Sequence, residues 1–292
     1  MFGNFISIKL MTKENISAKQ PAYINLRANF KEKNPDLYKK IPSFVIKGLE
    51  KIIRQKEANR ILAKYSHCNT REFLTNIINE FNLDIQISGK ENLPENGRCF
   101  FAGNHPFGIA DGLIITHIVS GKYGTLKAIA NEAFMLIPPL RPFIAVVDVY
   151  GLSPRAYIQA LDDVYNSDTP ITHFPAGEVS RWYNKKVQDT FWQKSFISKS
   201  VATQRDIVPI YFHGKNSKLF YLIFRLRRFL GIKLNIELVL LPREFFKKRN
   251  STIKVVIGKP ISYTRFNTDK NPHEWAQIIR AELYDLKKEI QN

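Results

Sequence analysis

The segment Phe100–Gly112, FFAGNHPFGIADG, constrains this chain more than any other. A short apolar run breaks on glycine and proline, and the GLIITHIV that follows has the apolar density of a helix packed on a sheet. A buried strand that empties through a turn into such a helix is the unit of an α/β sheet, and α/β sheets collect their chemistry at the strand-to-helix edge. Here that edge receives Asn104, His105 and Asp111.

Six positions separate His105 from Asp111, a poor spacing on a continuous helix, where facing pairs lie three or four apart. Pro106 and Gly108 call for a turn instead. If the turn folds Asp111 back to one imidazole nitrogen, the carboxylate fixes the tautomer and supports the imidazolium, leaving the other nitrogen to take a proton. No serine stands in this stretch, so the proton would come from a substrate hydroxyl or amine. The plainer reading makes Asn104 and Asp111 helix caps and His105 a satisfied loop residue.

A second strand with a polar end follows at Ile171–Arg181, ITHFPAGEVSR, again broken by proline and glycine and then carrying Glu178, Ser180 and Arg181. Taken together, NHPFGIADG and FPAGEVSR resemble the paired blocks of the glycerolipid acyltransferase superfamily, of the lysophosphatidic acid acyltransferase type. That family writes the first block NHxxxxD and the second FPEGTRS. This chain has five residues rather than four between His105 and Asp111, and its acid follows the glycine instead of preceding it. Both departures resemble a bacterial branch labelled hemolysin, close to the acyltransferases of amino-acid lipids. The resemblance implies His105 as general base and Asp111 as its orienter, with Asn104, Gly177, Glu178 and Arg181 binding substrate. An arginine suits an anionic head because its guanidinium meets phosphate or carboxylate through two parallel bonds. Fainter likenesses stand at Arg141–Val147, Val208–Ile210 and Gly258–Ile261, so the resemblance runs from about Leu83 to Ile261.

The rest of the chain suits that frame. The expected organisation is an N-terminal arm and helical lobe over 1–82, then an α/β domain over 83–292 whose mixed, largely parallel sheet is flanked by helices. Met1–Glu32 reads as an arm; helices are expected from Tyr38 onward and over Arg71–Asn82, the latter capped by Asn69. Strands are expected at Leu83–Ser88, Thr125–Ala130, Ile144–Val149, Asp206–Phe212, Leu238–Leu241 and Ile253–Ile257, with a helix capped by Ser153 and Pro154 and a last one over Glu274–Ile290. Asn131 and Glu132 fit a helix cap as well as a site. His117 and His173 read as packed residues, His213 falls at a strand end, and Cys68 and Cys99 have neither metal nor disulfide spacing.

A formal net charge of +18 calls for an anionic partner: nucleic acid, a membrane leaflet or an acidic carrier protein. Lys218–Lys233, KLFYLIFRLRRFLGIK, mixes large apolar residues with arginines as a helix half sunk in lipid headgroups does, and a core helix with outward arginines has the same composition. No apolar run is long enough for a membrane span, and Met1–Leu10 lacks a signal-peptide pattern. The resulting expectation is a cytoplasmic enzyme, peripheral to the inner face of the membrane, that moves a fatty acyl group from acyl carrier protein or coenzyme A to a hydroxyl or amine of a glycerolipid or amino-acid-lipid precursor. It needs no metal or resident cofactor. The rival readings are a thioesterase or lysophospholipase in the same pocket, and a non-enzymatic binder of anionic membrane or nucleic acid. No recognisable nucleic-acid motif supports that last alternative.

Overall fold

Helices open the chain: α1 (Leu26–Lys33), α2 (Pro35–Lys40), α3 (Ser43–Ile52), α4 (Gln55–Tyr65) and α5 (Thr70–Glu80). The structure, a computed structural model, describes residues 23–33, 35–130, 134–135, 137–146, 154–232 and 235–290. Most of the expected arm lies outside them, and its described end is helix α1, tied down onto α3 and α4. The Asn59 side chain bonds the Ile24 backbone in both directions at 2.8 Å, and Arg27 pairs with Glu50 at 2.9 Å. Asn69 caps α5 as expected, in a reciprocal capping box with Glu72.

The described residues contain nine strands: β1 (Asp84–Ser88), β2 (Cys99–Gly103), β3 (Lys127–Ala130), β4 (Ile144–Val146), β5 (Ile171–His173), β6 (Arg181–Tyr183), β7 (Lys186–Gln188), β8 (Asp206–Phe212) and β9 (Thr252–Ile257). Seven form one sheet in the order β1-β9-β8-β2-β5-β3-β4, and β6 pairs with β7 in a separate hairpin. Within the seven-stranded sheet every neighbouring pair is parallel except β8 with β9. Helices α6 (Ile109–Tyr123), α7 (Pro154–Asn166), α8 (Ser195–Thr203), α9 (Lys218–Phe229), α10 (Leu241–Phe246) and α11 (Pro272–Asp285) complete the fold.

Successive strand residues point to opposite faces, and both faces are covered, which is why these strands read as continuous apolar runs. Phe101, Val208, Ile210 and Val255 pack with Ile114 and Val119 of α6. Phe100, Ile207 and Val256 point the other way, onto Phe196 and Ile197 of α8 and Ile279 and Leu283 of α11. Full burial is worth about 1.5–3 kcal/mol for each such side chain, so the central strands anchor the edge that follows them. The stripe Phe73, Ile77 and Phe81 shares a third cluster with Leu113 of α6 and Phe246 of α10, so the helices before Leu83 have a core in common with the sheet layers.

One expected strand is absent: the Leu238–Leu241 segment falls in a 3-10 turn, Ile236–Leu240, that runs into α10. Pro242 starts that helix, and a short apolar run does not by itself distinguish strand from helix. The last helix stops at Asp285 and continues as a 3-10 turn over Leu286–Ile290. Asn131, Glu132, Ser153 and the end of the Ile144–Val149 strand lie outside the described residues. No helix among the described residues is long and apolar enough to cross a membrane.

Candidate active site

Strand β2 ends at Gly103, and the next five residues turn the chain into α6. Gly108 takes φ +87°, a conformation that favours glycine, and a Cβ there would stand 2.8 Å from the Leu241 side chain. The turn makes Asp111 the third residue of α6 and brings it back over the loop. One carboxylate oxygen accepts from the backbone N–H of Phe107 at 2.8 Å and of Gly108 at 3.3 Å; the other accepts from Gly112 at 2.9 Å. That second oxygen also faces His105 Nδ1 at 3.0 Å. The approach is at charge-pair distance but off the line of a well-aligned hydrogen bond. Asp111 is therefore both the cap of α6 and the partner of His105, so the two readings of the sequence describe one carboxylate.

His105 is held from four sides. Its ring stacks on Phe174, centroids 4.0 Å apart. Its N–H donates to Asp189 Oδ1 at 3.2 Å, and its carbonyl accepts from the Ser180 N–H at 2.8 Å. With Asp111 on Nδ1, the nitrogen left facing away from the carboxylate is Nε2. The side chain keeps 17 % of its surface exposed while that of Asp111 keeps none.

The second motif thus reaches His105 through Ser180, a residue to which the sequence reading gave no role. The agent joining the two is Asp189, which that reading missed. It is buried, and accepts from Ser180 Oγ at 2.5 Å and Trp192 Nε1 at 2.9 Å. Burial pushes its carboxyl pKa up, against the donors that favour the ionised form. Its own backbone is fixed by the Tyr284 hydroxyl and the Arg280 guanidinium. A single aspartate in the polar run before Trp192 carries no sequence signal of this role.

Two of the expected substrate-binding residues stand elsewhere. Asn104 is 2 % exposed, and its amide bonds the Phe212 backbone twice, donating at 2.9 Å and accepting at 2.7 Å. It pins the end of β2 to the end of β8 from a position closed to solvent. Arg181 is fully buried. Its guanidinium lies 3.0 Å from Glu237, donates to the Val179 carbonyl, and sits over the rings of Phe220 and Phe224 on α9. Glu237, also buried, meets Arg227 at 2.9 Å. Arg181 is in this structure an internal strut between the second motif and α9. Gly177 and Glu178 remain at the surface of the turn. Gly177 has φ +67° and open space around it, and Glu178 accepts from the Tyr183 hydroxyl at 2.8 Å.

Of the other histidines, His173 ends β5 with its Nδ1 buried, and burial lowers its pKa to about 4. His213 is exposed at the end of β8 and His117 is half-buried on α6; burial lowers both. Cys68 and Cys99 are free thiols.

The fold and these motifs define an acyltransferase, and the chain belongs to that family: its acyltransferase model matches residues 28–292. The match begins well before Leu83, so the family likeness includes the N-terminal helices. The chain is 35 % identical over 264 residues to the lyso-glycine lipid O-acyltransferase of Phocaeicola vulgatus, covering 90 % of this chain and 95 % of that one. It is 34 % identical over 255 residues to the lyso-glycine lipid O-acyltransferase of Bacteroides thetaiotaomicron, covering 87 % and 94 %. Among solved structures, the 1-acyl-sn-glycerophosphate acyltransferase PlsC of Thermotoga maritima superposes with a TM-score of 0.46 at 16 % identity, over 82 % of this chain and 95 % of that one.

Proposed function

We propose that this acyltransferase moves a fatty acyl group from a thioester of acyl carrier protein or coenzyme A to the free hydroxyl of a lyso-glycine lipid. The acceptor is suggested by the two relatives at about one-third identity, both named for that substrate. The chemistry rests on one observation: a solvent-touching imidazole 3.0 Å from a buried carboxylate that three backbone amides hold in place.

His105 Nε2 takes the proton of the acceptor hydroxyl as its oxygen attacks the thioester carbonyl. The C–O bond forms, the tetrahedral oxyanion collapses, the C–S bond breaks, and the departing thiolate takes the proton back from the imidazolium. Asp111 stabilises that imidazolium and fixes its tautomer. Asp189, Ser180 and Phe174 hold the imidazole in register with the reactants, the kind of positioning that supplies a large share of such a barrier. The thiol is already a good leaving group, so the reaction calls for no resident cofactor. Gly177 and Glu178 border the approach for the acceptor, and Arg181 fixes the turn that carries them. A lipid acceptor and a charge of +18 suit a protein that works at the inner, anionic face of a membrane.

The test is purified protein given an acyl thioester and lyso-glycine lipid, with the diacylated product read by mass spectrometry. Product from wild type and not from folded His105→Ala supports the reading. Free fatty acid released equally with or without acceptor would replace it with a hydrolase.

A further inference from the structure

Helix α9 has two unlike faces. Its inner face is built into the protein: Phe220, Tyr221, Phe224 and Arg227 are buried, and Tyr183 of the hairpin meets Phe224 edge-on at 5.7 Å. Its outer face carries Leu219, Leu222, Leu226 and Phe229, exposed by 39, 60, 53 and 87 %. Intervals of three and four residues align them in one stripe along the helix, which Leu230 extends. Lys218, Arg225 and Arg228 are exposed around the stripe, and Lys218–Ile232 contains no acidic residue.

We propose that this stripe seats in the headgroup region of an anionic bilayer, with Arg225 and Arg228 on lipid phosphates, so that α9 is the docking helix of the protein. The proposal deepens the reading of a lipid acyltransferase and rests on it for its purpose, though not for its measurement. The occupant follows from charge. Large apolar side chains bordered by cations, with no carboxylate among them, are complementary to a surface that is apolar within and anionic at its rim. A second copy of the chain fits poorly, since a two-fold contact through this helix would bring its arginines against their own equivalents.

The inner face of α9 also gives the docked helix a consequence for the site. Arg181, at the end of the second motif, sits over Phe220 and Phe224, and Glu237 joins it to Arg227. A bilayer that holds α9 therefore holds the turn carrying Gly177 and Glu178, where a lipid acceptor would leave the membrane.

Flotation of the full chain with phosphatidylcholine vesicles, with and without phosphatidylglycerol, tests this. Wild type should float with the anionic vesicles and lose binding at high salt. Leu226→Ser/Phe229→Ser should lower partitioning about 10-fold or more, because two large exposed side chains lose their apolar refuge. Arg225→Gln/Arg228→Gln should lower it by roughly 30-fold, at about 1 kcal/mol per basic residue near an anionic leaflet, and remove the preference for phosphatidylglycerol. Trp182, 41 % exposed on the hairpin against α9, gives a second readout, since Trp192 and Trp275 are buried. Its emission should shift to the blue on docking, and Trp182→Phe should abolish the shift.

Acyl transfer to detergent-dispersed acceptor separates the two ideas. Both double variants should keep it, because neither touches the His105 site. Vesicle binding that survives both double variants overturns the docking proposal and leaves the enzymatic reading standing. A wild type that ignores vesicles but forms a dimer broken by Leu226→Ser/Phe229→Ser overturns it too, in favour of a second copy. Docking as described without any acyl transfer overturns the enzymatic reading alone.

Discussion

Replacing Arg181 by methionine distinguishes a strut from a substrate ligand. Arg181 has no exposed surface, and its guanidinium contacts Glu237 at 3.0 Å, the Val179 carbonyl, and two aromatic rings. Methionine keeps the apolar length but removes the charge from a site where Glu237 stays buried. Breaking a buried ion pair costs about 3–5 kcal/mol, and the low end applies because Arg227 Nε remains 2.9 Å from Glu237. Glu237→Gln should be worse, near the upper end, since it leaves two buried guanidiniums facing a neutral amide. Unfolding entropy of about 2.1 cal/mol/K per residue converts these losses, for 292 residues, into Tm decreases of roughly 5 and 8 °C. Thermal unfolding followed by tryptophan fluorescence reads them, and kinetics at permissive temperature complete the comparison. The expected Arg181→Met enzyme is less stable, with KM for the acceptor close to normal. An unchanged Tm with a strongly raised acceptor KM would refute the reasoning and make Arg181 a direct ligand of the acceptor head.

His105→Ala should lower kcat by about 10²–10⁴, the usual worth of a general base, while circular dichroism stays native. Asp111→Asn should lower both kcat and Tm, because the same carboxylate orients His105 and caps α6, and a parallel fall in the two is the signature to measure. Asn104→Ala should act on stability rather than on acceptor KM: it strands the buried Phe212 N–H and carbonyl, each costing about 1–3 kcal/mol, as denaturant midpoints will report. His173 is held neutral to about pH 4 by burial, so between its unfolded pKa and pH 4 the unfolded chain binds the proton that the folded one refuses. Its contribution to stability must therefore fall as pH drops from about 6.5 to 4, by about 3 kcal/mol, and flatten below. His173→Phe should remove that slope from a Tm-against-pH curve.

The strand-turn-helix of Phe100–Gly112 was legible because apolar runs, glycine and proline bear directly on the backbone. His105 and Asp111 were legible with it, since their contact needs only the turn between them. Arg181 was placed in the right motif, but its neighbours were not legible. What it touches, Glu237 and the rings of α9, comes from residues about 40 to 56 positions further on, and no local pattern encodes that meeting. Asp189 was hidden for the same reason, joining Ser180 and the His105 backbone across 84 positions of chain. Asn104 shows the converse: next to His105 in sequence, its side chain bonds the end of a neighbouring strand. The Leu238–Leu241 segment was misread as a strand because apolar residues in a run of four or five carry no period.

The single antiparallel pair in the sheet, β8 with β9, gives the molecule two unlike edges. β1 and β9 run against the other five strands, so the turns after them open away from His105. The Gly258–Ile261 segment confirms the direction, bonding back to Pro209 and Ile207 toward the start of β8. It stands at the edge of the sheet opposite His105, whatever its likeness to a family block. The exposed turn at Glu95 and Asn96, which leads into β2, opens at that same remote edge. An affinity tag, a fluorophore or a tether to a solid support inserted there would leave the His105 edge unobstructed, which makes it the place to hold the protein while a ligand is offered to the opposite side.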